Sequence, residues 1–276
     1  MPPPMARRTI SGSRILITGA SSGIGQALAL ELARQGGRLV LNARRLERLQ
    51  TLADTLTAGG REVHLVSGDI TQSDVRLRAM QAAQEHLGGL DILINCAGVG
   101  AVGPFAVADE ARLRQVMEVN FFAPVEMIRL GLPILRGGHS PLVVNIGSVL
   151  GHCAVPAKSE YCASKFALRG FADALRAELA NDRIDVLTVS PSTTETEFFD
   201  QLIAQPPGFK PRRGMSAQRV ARAVVRAIAT GRREIVLSWG GKLLVWLQRF
   251  TPGLVRSAVI RHERRQADSH ASTIHH

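Results

Sequence analysis

The sequence predicts an α/β fold: a doubly wound parallel sheet of about seven strands with helices on both faces, in a single domain with a C-terminal amphipathic extension. Three observations predict it. Short apolar runs of strand length alternate with longer segments whose apolar residues recur at helical spacing. Gly59-Gly60, Gly88-Gly89 and Gly137-Gly138 punctuate the joins from helix to strand, where helix-ending glycines are expected. The residues that carry chemistry fall beyond the carboxyl ends of predicted strands, where such a sheet binds ligands.

The first strand, 14–18, reads Arg14-Ile-Leu-Ile-Thr18 and runs straight into Gly19-Ala-Ser-Ser-Gly23-Ile-Gly25. A helical pattern of Ala27, Leu28, Leu30, Leu32 and Ala33 starts near residue 23. Strand, glycine-rich turn and helix start, in that order, form the context for dinucleotide binding. Glycines let the backbone approach a pyrophosphate, whose charge the helix N-terminus meets. The remaining strands are expected at 38–42, 62–66, 91–94, 142–147, 184–189 and 234–238, with helices starting near 45, 73, 109, 161 and 216. This places the catalytic domain at 12–238, after a disordered leader over 1–11 and before a basic amphipathic extension over 239–276.

Ser148 is followed by Tyr161-Cys-Ala-Ser-Lys165, and Tyr161 is the chain's single tyrosine. Residues four apart share one face of a helix. The helix itself is marked by Ala163, Phe166, Ala167, Leu168, Phe171, Leu175 and Leu179. A lysine beside a phenol favours the phenolate, so the tyrosine is expected to titrate below its ordinary value of about 10. Such a group exchanges protons near neutral pH.

Together, Thr18-Gly-Ala-Ser-Ser-Gly-Ile-Gly25, Asn95-Cys-Ala-Gly98, Asn120, Ser148 and Tyr161-x-x-x-Lys165 resemble the short-chain dehydrogenases/reductases, in that family's order. The resemblance implies a Rossmann-type oxidoreductase that interconverts a carbonyl and an alcohol. It assigns Tyr161 as general acid/base, Ser148 as the group that hydrogen-bonds the reacting oxygen, and Lys165 as the residue that tunes Tyr161 and holds the nicotinamide ribose. Asn120 would position a water that relays protons to the lysine. Cofactor contacts are implied for Gly19, Ser21, Ser22, Gly23, Ile24, Gly25, Ile70, Asn95, Ala97, Gly98, Thr194 and Thr196, besides Tyr161 and Lys165. Two departures stand out: Cys96 where the family usually has a second Asn, and Pro191-Ser192 in place of Pro-Gly. The second puts the backbone geometry beside the nicotinamide in question.

An acidic residue at the end of the second strand would bind a ribose 2′-hydroxyl; here Ala43 is followed by Arg44-Arg45. Arginine offers charge and paired donors to a 2′-phosphate. NADP(H) is therefore expected, with NAD(H) the less favoured alternative, Arg44 as the main phosphate ligand and Arg45 as its helper. Asp69 resembles the family's acid beside the adenine, or caps the turn that follows it.

Residues 192–215 correspond to the family's substrate-covering segment. Phe198, Phe199, Leu202, Ile203 and Phe209 there point to an apolar substrate, or else pack the segment itself down.

Basicity is concentrated near the C-terminus: residues 206–266 hold 14 Lys/Arg against two acids, in a chain of net charge +11. Residues 239–261 mix Trp, aliphatics and arginines around a Pro252-Gly253 break, a composition that suits a peripheral membrane contact, a subunit or pocket-rim contact, or a solvated basic face. No stacking platform accompanies the charge, so nucleic acid is not an expected partner. Cys96, Cys153 and Cys162 read as reduced thiols of a cytoplasmic protein, and His64, His139 and His152 share no metal-ligand spacing. No metal is expected; His152, four residues after Ser148, reads as a surface residue or as one near the substrate. The family resemblance implies a homodimer or homotetramer. Rival readings are a nucleotide-sensing protein without turnover and a membrane scaffold that works through its basic tail.

Overall fold

The computed structural model describes residues 5–199, 202–205 and 214–261. The apolar runs become strands of a parallel sheet covered by helices, buried on both faces through its centre and half-buried at its edges. They are β1 (Arg14–Thr18), β2 (Arg38–Ala43), β3 (Val63–Ser67), β4 (Ile92–Asn95), β5 (Leu142–Ile146) and β6 (Asp185–Ser190). Two short strands, β7 (Thr194–Glu195) and β8 (Met215–Ser216), precede β9 (Glu234–Val236). The main sheet has seven parallel strands in the order β3-β2-β1-β4-β5-β6-β9. Ile15 faces Leu39 on one side and Ile92 on the other, so strand order reverses between β1 and β4. The crevice at that reversal is where this architecture binds ligands.

The helices are α1 (Gly23–Arg34), α2 (Leu46–Ala58), α3 (Ser73–Leu87), α4 (Glu110–Met117), α5 (Ala123–Arg136), α6 (Ser159–Glu178), α7 (Ala217–Ala229) and α8 (Trp239–Phe250). On one face Leu28 and Leu32 of α1 pack with Val220 and Val224 of α7 and Leu49 of α2. On the other, Met80 of α3, Met127 of α5 and Leu175 of α6 form a second core. Each fully buried aliphatic side chain contributes roughly 1.5–3 kcal/mol. Gly88, at φ +75°, ends α3 in the left-handed conformation that glycine adopts without steric penalty.

The structure departs from the sequence-based expectations at several points. Residues 5–11 are not a disordered leader: Met5 and Ile10 are buried, and Arg8 donates to the carbonyls of Ser140 (2.6 Å), Ala6 (2.7 Å) and Pro141 (3.0 Å) and to Asp185 (2.6 Å). A guanidinium with several fixed donors ties the segment to the ends of β5 and β6. Residues 1–4 lie outside the described residues. The helix expected from residue 109 is interrupted by a π-turn over Glu118–Phe122, between α4 and α5. Within 192–215, β7 pairs in parallel with β8; Phe209 lies outside the described residues. On α6 the buried stripe is Leu168, Ala172, Leu175 and Leu179, while Ala163 and Phe166 face outward. Residues 239–261 form α8 and a second helical stretch over 252–261.

Candidate active site

The glycine turn is shaped by how close the backbone comes to its neighbours. Gly19 has φ +71°, and a Cβ there would lie 2.7 Å from the Cα of Ala97. A Cβ on Gly25 would lie 2.2 Å from the carbonyl oxygen of Gly19. Cys96 and Ala97 donate their backbone N–H groups to Thr18 Oγ1 at 3.1 and 3.2 Å, which locks the β1 and β4 ends together. Ser22, at the start of α1, makes no side-chain cap, and the first turn carries no acid. The first N–H groups of α1 thus lack a side-chain partner and meet the cavity at a positive dipole end.

Beside the turn, Arg45 donates to Ser22 Oγ at 2.7 Å and Ser21 Oγ at 3.3 Å, and it pairs with Glu197 at 3.3 Å. Arg48 also pairs with Glu197. Arg44 is exposed, 4.0 Å from Asp69. Asp69 accepts from the Thr71 backbone N–H (3.0 Å) and hydroxyl (2.9 Å), so it caps its turn while still lining the cavity.

Ser148 stands at the end of β5, and α6 carries Tyr161 and Lys165 across from it. Lys165 Nζ donates to the Ile146 carbonyl at 3.1 Å and lies 5.7 Å from the Tyr161 ring centroid. Burial lowers the Lys165 pKa to about 8. Burial also pushes Tyr161 up to about 12, against the downward pull of the Ser148 hydroxyl. The expectation of a lowered phenol is therefore corrected: desolvation disfavours the phenolate more than its surroundings favour it.

One cavity of about 970 Å³ gathers most of the predicted residues: Gly19, Ser21, Ser22, Gly23, Ile24, Gly25, Arg44, Asp69, Ile70, Ala97, Gly98, Ser148, Tyr161, Lys165, Thr194 and Thr196. Its other end is apolar, lined by Val149, Val155, Phe198, Phe199, Leu202 and Leu244. Phe198 packs edge-on to Tyr161, with ring centroids 5.9 Å apart. Ser192 keeps an ordinary negative φ, so the missing glycine after Pro191 demands no left-handed backbone.

Two predicted residues do not reach this cavity. Asn95 turns into the sheet and donates to Asn145 Oδ1 at 2.9 Å. Asn120 sits buried in the π-turn; its amide accepts from Val99 N–H (2.9 Å) and donates to the Val99 carbonyl (2.9 Å) and Ser164 Oγ (3.0 Å). These bonds tie the π-turn to the backbone after β4 and to α6.

Other residues were missed. His152 is buried, not on the surface, with Nε2 3.0 Å from Ser190 Oγ and 3.4 Å from Glu234. Arg112 and Glu160 form a buried ion pair directly before Tyr161. The only sequence signal for that pair is a charged residue on an otherwise core-facing helix turn. Among the described residues no cluster of His, Cys, Asp or Glu is suited to a metal.

Residues 13–207 match the family model for short chain dehydrogenase. Over 257 residues the chain is 34% identical to Hydroxysteroid 11-beta-dehydrogenase 1-like protein B of Xenopus laevis, covering 91% of this chain and 87% of that relative. Its fold is similar to that of a short chain dehydrogenase/reductase from Burkholderia phymatum solved in complex with NAD. That likeness has a TM-score of 0.82 at 28% identity, over 90% of this chain and 96% of the other. A short chain dehydrogenase from Burkholderia cenocepacia J2315, in complex with NADP, is similar at a TM-score of 0.76 and 26% identity, over 85% of this chain and 100% of the other. With sequence, sheet order and cavity in agreement, the chain belongs to the short chain dehydrogenase family of oxidoreductases.

Proposed function

We propose that this chain is an NADP(H)-dependent oxidoreductase interconverting a carbonyl and an alcohol on an apolar, lipid-like small molecule. The observation that carries the proposal is the shared cavity: a glycine cradle and arginines at one end, Ser148, Tyr161 and Lys165 in the middle, and phenylalanines at the other. A backbone too close for any Cβ at Gly19 and Gly25, with an uncapped helix start, suits a pyrophosphate. The B. phymatum and B. cenocepacia relatives carry NAD and NADP respectively, which supports a nicotinamide cofactor. Arg44 and Arg45, with no acid at Ala43, favour the phosphorylated form.

When bound, the nicotinamide supplies or accepts the hydride. In carbonyl reduction Tyr161, which as a phenol carries its proton at neutral pH, donates that proton to the substrate oxygen. Ser148 donates a hydrogen bond to that oxygen and aligns it. Lys165, charged below about pH 8, offsets the negative charge left on Tyr161. In the oxidative direction the same residues return the proton. Initial rates of NADPH oxidation across apolar and polar aldehydes and ketones test the reading. Turnover confined to apolar carbonyls supports it, whereas a preference for small polar ones would refute the assigned substrate class.

A further inference from the structure

The outer surface of α8 is built unlike any other helix here. Trp239, Leu243, Trp246 and Phe250 recur at intervals of four, three and four residues, which puts them on one face. They are 86%, 57%, 56% and 62% exposed. The opposite face, with Gly241 and Leu244, is the one that meets the protein. Leu254 and Ile260 continue the exposed apolar surface past Pro252. Residues 239–261 contain Lys242, Arg249, Arg256 and Arg261 and no acid. Lys242 lies over the Trp239 ring and Arg249 over Phe250, at 5.2 and 6.0 Å from the centroids.

A second observation lies alongside. Lys242 also lines a basic cleft of about 630 Å³ with Arg219, Arg222, Arg226 and Arg232, against the single acid Glu234. None of these five cations makes an ion pair with a described residue, and Glu234 is held by Arg169 and lies beside His152. An apolar stripe bordered by cations that form no ion pair among the described residues is complementary to a surface that is both apolar and anionic.

We infer that this face docks on the surface of an anionic lipid bilayer, with the α8 stripe in the acyl-headgroup boundary and the arginine cleft over the phosphates. Spanning is not involved, since no described helix is long and apolar enough to cross a membrane. Because α8 also lines the main cavity through Gly240, Gly241 and Leu244, docking brings a lipid phase next to the site that takes the substrate. That link to substrate delivery rests on the proposed function; docking itself does not.

The chain has two tryptophans, Trp239 and Trp246, and both lie on this stripe, so tryptophan emission reports on it alone. The test uses the full chain, without turnover, and vesicles of phosphatidylcholine with or without about one third phosphatidylglycerol. Docking predicts a blue shift and quenching by brominated acyl chains on the anionic vesicles, weakened by salt. Phe250→Ser with Leu243→Ser should lower vesicle affinity at least about tenfold, and Arg222→Gln with Arg226→Gln should flatten the salt dependence. Circular dichroism and melting of each variant exclude misfolding. Two results would overturn the inference. One is emission unchanged by saturating anionic vesicles; the other is a stripe variant that binds vesicles normally but loses mass in light scattering, which would make the stripe a subunit interface.

Discussion

Arg112 on α4 holds the carboxylate of Glu160, the residue directly before Tyr161, in an ion pair whose side chains are 8% and 2% exposed. Arg112 Nε donates to Glu160 Oε1 at 2.9 Å, and Glu160 Oε2 has no hydrogen-bond partner. The pair pins the first turn of α6, and so the tyrosine, to the neighbouring helix.

Removing one partner of such a pair leaves an uncompensated buried charge, which costs about 3–5 kcal/mol. Arg112→Met alone should lower unfolding stability by that order, measured in urea. Arg112→Met combined with Glu160→Leu should recover most of the loss. A single variant within about 1 kcal/mol of wild type would show that the pair contributes no more than a surface ion pair.

A methyl group at Gly25 would meet the Gly19 carbonyl oxygen at 2.2 Å, whereas one at Gly170 meets nothing within 4 Å. The proposed cofactor site therefore predicts that NADP⁺ raises the melting temperature of wild type but not of Gly25→Ala. Gly170→Ala on the outside of α6 should keep it and gain up to about 1 kcal/mol in stability. Equal protection of both variants would mean that the turn does not receive the nucleotide.

Arg44 is exposed beside Asp69, and Arg45 bridges Ser22 and Glu197. A charge-assisted hydrogen bond to a phosphate contributes about 1.5–3 kcal/mol. Arg44→Asp should weaken NADPH by roughly ten- to a hundredfold in calorimetry and change NADH far less. Equal losses for both would refute a 2′-phosphate contact.

Burial, helped by Arg169, holds the His152 pKa below its ordinary 6.5, against the opposing pull of Glu234 and Asp173. The unfolded chain then binds a proton that the folded chain resists, so stability falls as pH drops below 6.5. The melting temperature should decline between about pH 6.5 and pH 5, above the range where carboxylates titrate. His152→Gln should flatten that decline. An unchanged slope in the variant would assign the acid sensitivity to other groups.

The parts of this molecule legible in the sequence are those set by local pattern. β1, the glycine turn and α1 are contiguous, and their spacing alone defines the cradle. Gly88 is readable as a helix end because glycine takes the left-handed conformation found there at no steric cost. Contacts between distant segments were not readable. Arg8 looked like part of a solvated leader because its acceptors come from residues 140, 141 and 185. His152 looked like a surface residue because Ser190 and Glu234, its partners, sit on β6 and β9. Asn120 was recognisable by type, but the π-turn that commits its amide to Val99 and Ser164 leaves no periodic trace. The raised Tyr161 pKa leaves no trace in the sequence, because a Tyr-Lys spacing reveals proximity and says nothing about desolvation of either group.

The central claim is that Tyr161 moves the proton in a reaction driven by NADP(H), and Tyr161→Phe tests it most directly. Initial rates of NADPH oxidation with an apolar ketone would be measured beside NADPH binding for wild type and variant. The account predicts that the variant loses turnover by about 10²-fold or more while binding NADPH as wild type does. Turnover retained in the variant, with cofactor binding intact, would contradict it.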